Sequence, residues 1–240
     1  MARFHIGTAG WSIPRQYADQ FPAEGTSLER YSARFPVAEI NSSFHRPHRP
    51  ATWERWRDSV PDDFRFSVKL PKQITHVRKL VDCSDELDGF LNQVALLGEK
   101  LAVLLVQLPP KLAFDEEVAD GFFASLTARS NAKIACEPRH PSWFDPAADV
   151  LLGRLRIARV AADPAICPEA AVAGGWSKLT YWRLHGSPRM YRSSYQDRIA
   201  AYAEKLEHAA RSGSDVWCIF DNTASSAALG DALALMKAVA

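Results

Sequence analysis

One pattern restricts this chain more than any other. Short runs of β-branched and apolar residues recur eight times, at 4–7, 37–41, 64–69, 101–107, 132–137, 156–162, 179–184 and 216–220. Longer segments with helical spacing separate them. That alternation is the signature of βα units around a parallel sheet. The run LAVLLVQ at 101–107 is apolar almost throughout, as expected of a strand buried on both faces. Leu87, Leu91, Val94 and Leu97 fall on one helical face after the third run, and Tyr195, Ile199, Tyr202 and Leu206 after the seventh. Thr26 with Glu29 forms a capping box, and Asp115 opens a further helix. Thr52 is expected to cap the helix after the second run, and Gly98 to end a helix in a left-handed cap. Eight such units fill the 240 residues without a low-complexity linker. The fold class expected is therefore α/β, a single (β/α)8 barrel over residues 1–240, close to the ~250 residues typical of that architecture.

Charge and composition narrow the function classes. Lys and Arg number 29 against 28 Asp and Glu, a formal net charge of +1. A dedicated nucleic-acid binder usually carries a basic excess, so nucleic acid is not the favoured partner, although a local basic site remains compatible with this total. No run approaches the ~20 apolar residues of a membrane span, and MARFHIGTAGW has no signal-peptide core. A cytoplasmic protein without a membrane partner is expected. Cys83, Cys136, Cys167 and Cys218 are scattered with no CxxC pair, which suits reduced packing thiols. No HExxH, Walker or GxGxxG motif is present, so neither a metal nor a cofactor is implied.

In a barrel of this type the functional site lies at the C-terminal ends of the strands. Here the strand ends carry the polar residues: Glu39 and Asn41, Lys69, Gln107, Glu137 and Arg139, Asp163, Arg183 and His185, and Asp221 and Asn222. Residues two apart on a strand share a face. Glu39 with Asn41, Glu137 with Arg139, and Arg183 with His185 are therefore expected to converge above apolar layers such as Val103 and Leu105.

The segments IGTAGW (6–11), VAEINSSFHRPH (37–48), TWERW (52–56), FRFSVKLPKQITH (64–76), VQLPP (106–110), CEPRHPSWF (136–144), ADP (162–164), YWRLHG (181–186) and FDNT (220–223) resemble, in order, the DUF72 or YecE-like family. The resemblance implies a TIM-type barrel and leaves the reaction open, because the family's biochemical function is uncharacterised and a fold alone does not specify one. It highlights Trp11, Glu39, Asn41, Lys69, Gln107, Glu137, Arg139, Arg183, His185 and Asn222. At two places the chain departs from the family pattern: His45 stands where Tyr is usual, and Asp221 where a second Asn is common.

These residues suit an enzyme acting on an anionic small molecule that bears phosphate or carboxylate. Glu137, His185 and Glu39 are the candidates for acid/base work. Asn41, Lys69, Gln107, Arg139, Arg183, Asn222, Trp11 and Tyr191 are the candidates for substrate binding. Removing Arg183 or Glu137 is then expected to abolish binding with folding largely intact. Two other readings use the same residues: a glycosidase-like hydrolase employing two glutamates, and a non-catalytic module for a nucleotide or nucleic acid. Sequence leaves open whether the mouth catalyses or only binds, and how many chains assemble.

Overall fold

β-Branched and aromatic runs fit a pleated surface packed on both sides, and the strands form where such runs occur. The computed structural model describes residues 4–240. Its strands are β1 (Phe4–Ala9), β2 (Val37–Ile40), β3 (Arg65–Lys69), β4 (Leu101–Gln107), β5 (Lys133–Glu137), β6 (Ile157–Arg159), β7 (Ala161–Asp163), β8 (Gly174–Gly175), β9 (Leu179–Leu184) and β10 (Asp215–Phe220). Parallel pairing runs from β9 through β10, β1, β2, β3, β4 and β5 to β6. β7 pairs in parallel with β9. Only Val160 separates β6 from β7, and its N–H bonds to Cys136 O on β5 at 2.8 Å. The expected sixth strand is thus interrupted, one half facing β5 and the other β9, and through it the sheet closes into a barrel.

The helices are α1 (Ser27–Ser32), α2 (Pro50–Asp58), α3 (Ser84–Val94), α4 (Glu116–Arg129), α5 (Pro146–Arg154), α6 (Ile199–Arg211) and α7 (Ala227–Ala238). The Thr26–Glu29 capping box is present in both directions, and Asp115 caps α4 by accepting from Val118 N at 3.1 Å. Thr52 does not cap α2. That helix starts three residues earlier, with Arg49 at the cap position and Pro50 in its first turn, where a missing N–H costs nothing. Gly98 does have a positive φ of 57°, but its ψ is -137°. That ψ lies outside the left-handed helical region, in a part of the map that only glycine enters readily. Between β7 and β9 the described chain has no α-helix, only a 3-10 turn (Pro168–Ala171) and β8, which lies antiparallel to β6.

Alternation divides the apolar residues into two layers. Val37, Val103, Leu105, Ala135, Ala158, Val160, Leu179, Tyr181, Trp217 and Ile219 fill the barrel interior. Their neighbours in sequence, among them Ala38, Leu104, Val106, Trp182, Cys218 and Phe220, pack outward against the helices. Gly7 is required by close approach: a Cβ there would sit 2.2 Å from Val37 O across the β1–β2 pair. At the N-terminal end of the barrel, Asp215 receives Lys133 Nζ at 2.6 Å and lies 3.1 Å from His5 Nε2. The C-terminal end is left to the polar residues.

Candidate functional site

The inward positions one and two steps beyond the interior apolar layer carry charge. Arg183, on β9, is completely buried and binds three carboxylates. Its Nε and Nη2 donate to Glu39 Oε2 and Oε1 at 3.1 and 2.7 Å. Nη1 donates to Glu137 Oε2 at 2.6 Å, and Nη2 also reaches Asp221 Oδ2 at 3.0 Å. The planar guanidinium fork matches such multiple contacts in a way that an ammonium does not. Below it, Tyr181 OH donates to Glu39 Oε2 at 2.9 Å and lies 2.8 Å from Ser67 Oγ.

His185 is equally buried and stands between two acids, with Nδ1 3.0 Å from Asp221 Oδ2 and Nε2 2.9 Å from Glu137 Oε1. Arg139 closes this side, ion-paired through Nη2 with Glu137 Oε1 and 2.9 Å from His185 Nε2. Asn41 Nδ2 reaches Asp221 Oδ1 at 3.4 Å. Two polar atoms of the layer, Asn41 Oδ1 and Arg139 Nε, are buried without a partner among the described residues.

The electrostatics follow from this geometry. Burial alone would raise the pKa of Glu137, yet the charges of Arg183, Arg139 and His185 hold it well below the usual carboxylate range. Asp221 is lowered in the same way, burial opposing Arg183, His185 and Lys69. Folded pKa values below the unfolded ones mean that these acids stabilise the fold above the unfolded carboxylate range, near pH 4, and that this stabilisation is lost as pH falls through the folded values. The urea midpoint is therefore expected to fall steeply below pH 4, beyond any shallow decline between pH 7 and 5 from His48 and His76, whose burial and neighbouring cations lower them. A midpoint unchanged at pH 3 contradicts the assignment.

Lys69, the last residue of β3, differs from the other cations. It is only 9% exposed, and its Nζ, 4.2 Å from the centroid of the Phe44 ring, makes no hydrogen bond or ion pair among the described residues. Burial first, and the nearby charge of Arg183 second, lower its amine to about 8. On the side of His185, Tyr191 packs edge-on with ring centroids 5.9 Å apart. Tyr191 remains 43% exposed and holds a φ of 64°, which is uncommon for a bulky residue.

The structure thus brings together Glu39, Asn41, Lys69, Glu137, Arg139, Arg183 and His185, with Tyr191 over them. Three expected contributors go elsewhere or stay apart. Asn222 faces outward, its Nδ2 donating to Asp231 Oδ2 at 2.7 Å and Ser193 O at 2.9 Å, so it braces the loop after β9 against α7. Trp11 packs edge-on against Trp56 and Phe66 in the outer layer. Gln107 ends β4 half-buried and joins no hydrogen bond of the cluster among the described residues. Asp221, missing from the expected binding set, takes the place assigned to Asn222. The signal was alternation, since Asp221 continues the inward face of Trp217 and Ile219. Glu39 and Glu137 have the Arg183 guanidinium between them, so a sugar could lie between these acids only by displacing it. Among the described residues no group of three or more His, Cys, Asp or Glu side chains is arranged to hold a metal ion. No helix there is long and apolar enough to cross a membrane.

A (β/α)8 barrel whose mouth carries a buried arginine ringed by acids defines the class of protein. The family described as "Protein of unknown function DUF72" matches residues 5–240, and the chain belongs to it. The UPF0759 protein YecE of Escherichia coli (strain K12) is 33% identical over 141 residues, 58% of this chain and 50% of that protein; the chain spans about half the length of the curated relative it matches. Two solved DUF72 structures share the fold. One, from Enterococcus faecalis, has a TM-score of 0.80 at 19% identity and covers 99% of this chain and 95% of its own. The other, from Thermotoga maritima, has a TM-score of 0.79 at 21% identity, with 98% of each chain covered.

Proposed function

We propose that the mouth is the site of an enzyme acting on a small molecule that bears a phosphate or a carboxylate. The reading is carried by one observation: Lys69 is a nearly buried ammonium at the strand ends that makes no direct ion pair among the described residues, while Glu39, Glu137 and Asp221, whose charges it feels, are in direct contact with Arg183, Arg139 or His185 instead. A sequestered charge without a partner is costly, and an anionic substrate supplies the partner. Lys69 meets the anion and, with its amine near 8, exchanges a proton at physiological pH. Arg139, Asn41, Asp221 and Tyr191 flank the same space. Glu39, Glu137, Arg183 and His185 lie beneath it as positioning residues that fix the field above them.

The test is titration calorimetry of the full chain with inorganic phosphate and with acetate. At least one anion is expected to bind, at least tenfold more weakly to Lys69→Met, and more weakly as pH rises through about 8. If neither anion binds at millimolar concentration, or if Lys69→Met binds as well as the parent, the reading falls.

A further inference from the structure

Beside the mouth, between the loops that follow β2 and β3 and the helix α3, lies a cavity of about 530 Å³. Phe44, Trp53 and Phe90 form apolar walls, and Arg46 and Lys72 stand on its lining. Those two cations form no ion pair among the described residues, whereas Glu86, the lining acid, is neutralised by Arg78 at 2.9 Å. The cavity adjoins the mouth directly. Phe44 is the residue whose ring carries the Lys69 ammonium, and Ser43, also on the lining, donates its Oγ to Lys69 O at 2.7 Å.

Gly89 gives this space a further meaning. It sits in the middle of α3, where glycine is the poorest helix former apart from proline. A Cβ built there meets nothing within 4 Å, and its φ is not one that demands glycine. Neither backbone conformation nor crowding requires the missing side chain. Gly89 lines the cavity, so a side chain placed there projects from this wall.

We infer that the cavity is a subsite for a flat unsaturated ring, so that the substrate is an anion carrying an aromatic or heteroaromatic group. This rests on the reading of Lys69 as the anion contact. Aromatic walls take the ring by offset or edge contact. Arg46 and Lys72 supply cationic edges that favour an anionic molecule over a neutral one. The volume falls within the range of small-molecule pockets.

Two matched probe pairs test the inference by calorimetry: inorganic phosphate with phenyl phosphate, and acetate with phenylacetate. For whichever anion binds, the ring is expected to improve affinity at least tenfold. Gly89→Phe is expected to remove that gain while leaving the bare anion within twofold, and to remain folded because phenylalanine exceeds glycine in helix propensity. Gly89→Ala, too small to fill the space, should keep the gain. Equal affinity for bare and ring-bearing anions, or a gain that survives Gly89→Phe, overturns the subsite and leaves the Lys69 reading standing. Ring-dependent binding that is lost in Gly89→Phe yet indifferent to Lys69→Met keeps the cavity as a ring site and removes its link to Lys69. Absence of binding by all four probes overturns both.

Discussion

Arg183→Met is expected to lower the melting temperature by about 6–20 °C or to prevent folding altogether. The guanidinium is fully buried and holds Glu39, Glu137 and Asp221 at distances from 2.6 to 3.1 Å. Replacing it by a side chain of similar length fills the space but leaves three buried acids facing one another. Breaking a single buried pair from one side costs about 3–5 kcal/mol, because the surviving charge has no compensation. For a domain near this size about 1 kcal/mol shifts the melting temperature by about 2–4 °C. Arg183→Lys keeps the charge and loses the fork, so an intermediate loss is expected. Adding Glu39→Gln to Arg183→Met removes the acid whose one ion pair among the described residues is with Arg183, and should recover part of the stability. Thermal unfolding followed by circular dichroism measures all three. A change under about 2 °C for Arg183→Met means that the acids find other partners and that this network is not what holds them. The depth of this pair changes what sequence suggests. From strand-end position alone, Arg183 and Glu137 look removable without unfolding. Their complete burial makes folding the first thing their loss affects.

Lys69→Met is expected to do the opposite and stabilise the protein. The amine falls from an ordinary value near 10.4 to about 8 in the folded chain. A depressed lysine is penalised in the fold while protonated. The penalty is fully present below pH 8, shrinks between about 8 and 10.4 because the unfolded chain then binds more protons, and is gone above that range. Its size follows from the depression and amounts to about 3 kcal/mol, at about 1.36 kcal/mol for each pH unit. Lys69→Met should therefore gain about 3 kcal/mol in urea unfolding at pH 7, with the gain disappearing by about pH 10.5. The same substitution is expected to lose anion binding. Stability gained at the expense of binding is the signature of a residue kept for function. A variant less stable than the parent at pH 7, or a gain that persists unchanged at pH 10.5, contradicts the assignment.

Much of the barrel was legible because its pattern is local. Strand alternation placed Val103 and Leu105 inside and Leu104 and Val106 outside without reference to any other strand. The breaks have local causes too. Nothing in residues 156–162 marks the interruption at Val160, because Ala158 and Val160 keep one inward period through it, and the division between neighbours β5 and β9 depends on how the barrel closes. At the mouth, Glu39, Glu137, Arg183 and His185 were found by the two-residue period. On β10 the same period runs from Trp217 and Ile219 to Asp221, which joins the cluster, whereas family likeness points to Asn222, which faces the other way.

By itself, then, the amino-acid order determined which elements form, which face of each strand points inward, and that charge collects at the strand ends. Those are consequences of a two-residue strand period and a helical period, both set by backbone geometry within one segment. Only the tertiary structure decided the partners. Glu39 comes from β2, Glu137 from β5 and Asp221 from the end of β10, and all three meet Arg183 on β9, leaving Lys69 without a direct ion pair among the described residues. That pairing depends on the stagger and tilt with which the strands close into a barrel, quantities that no single segment of the chain encodes.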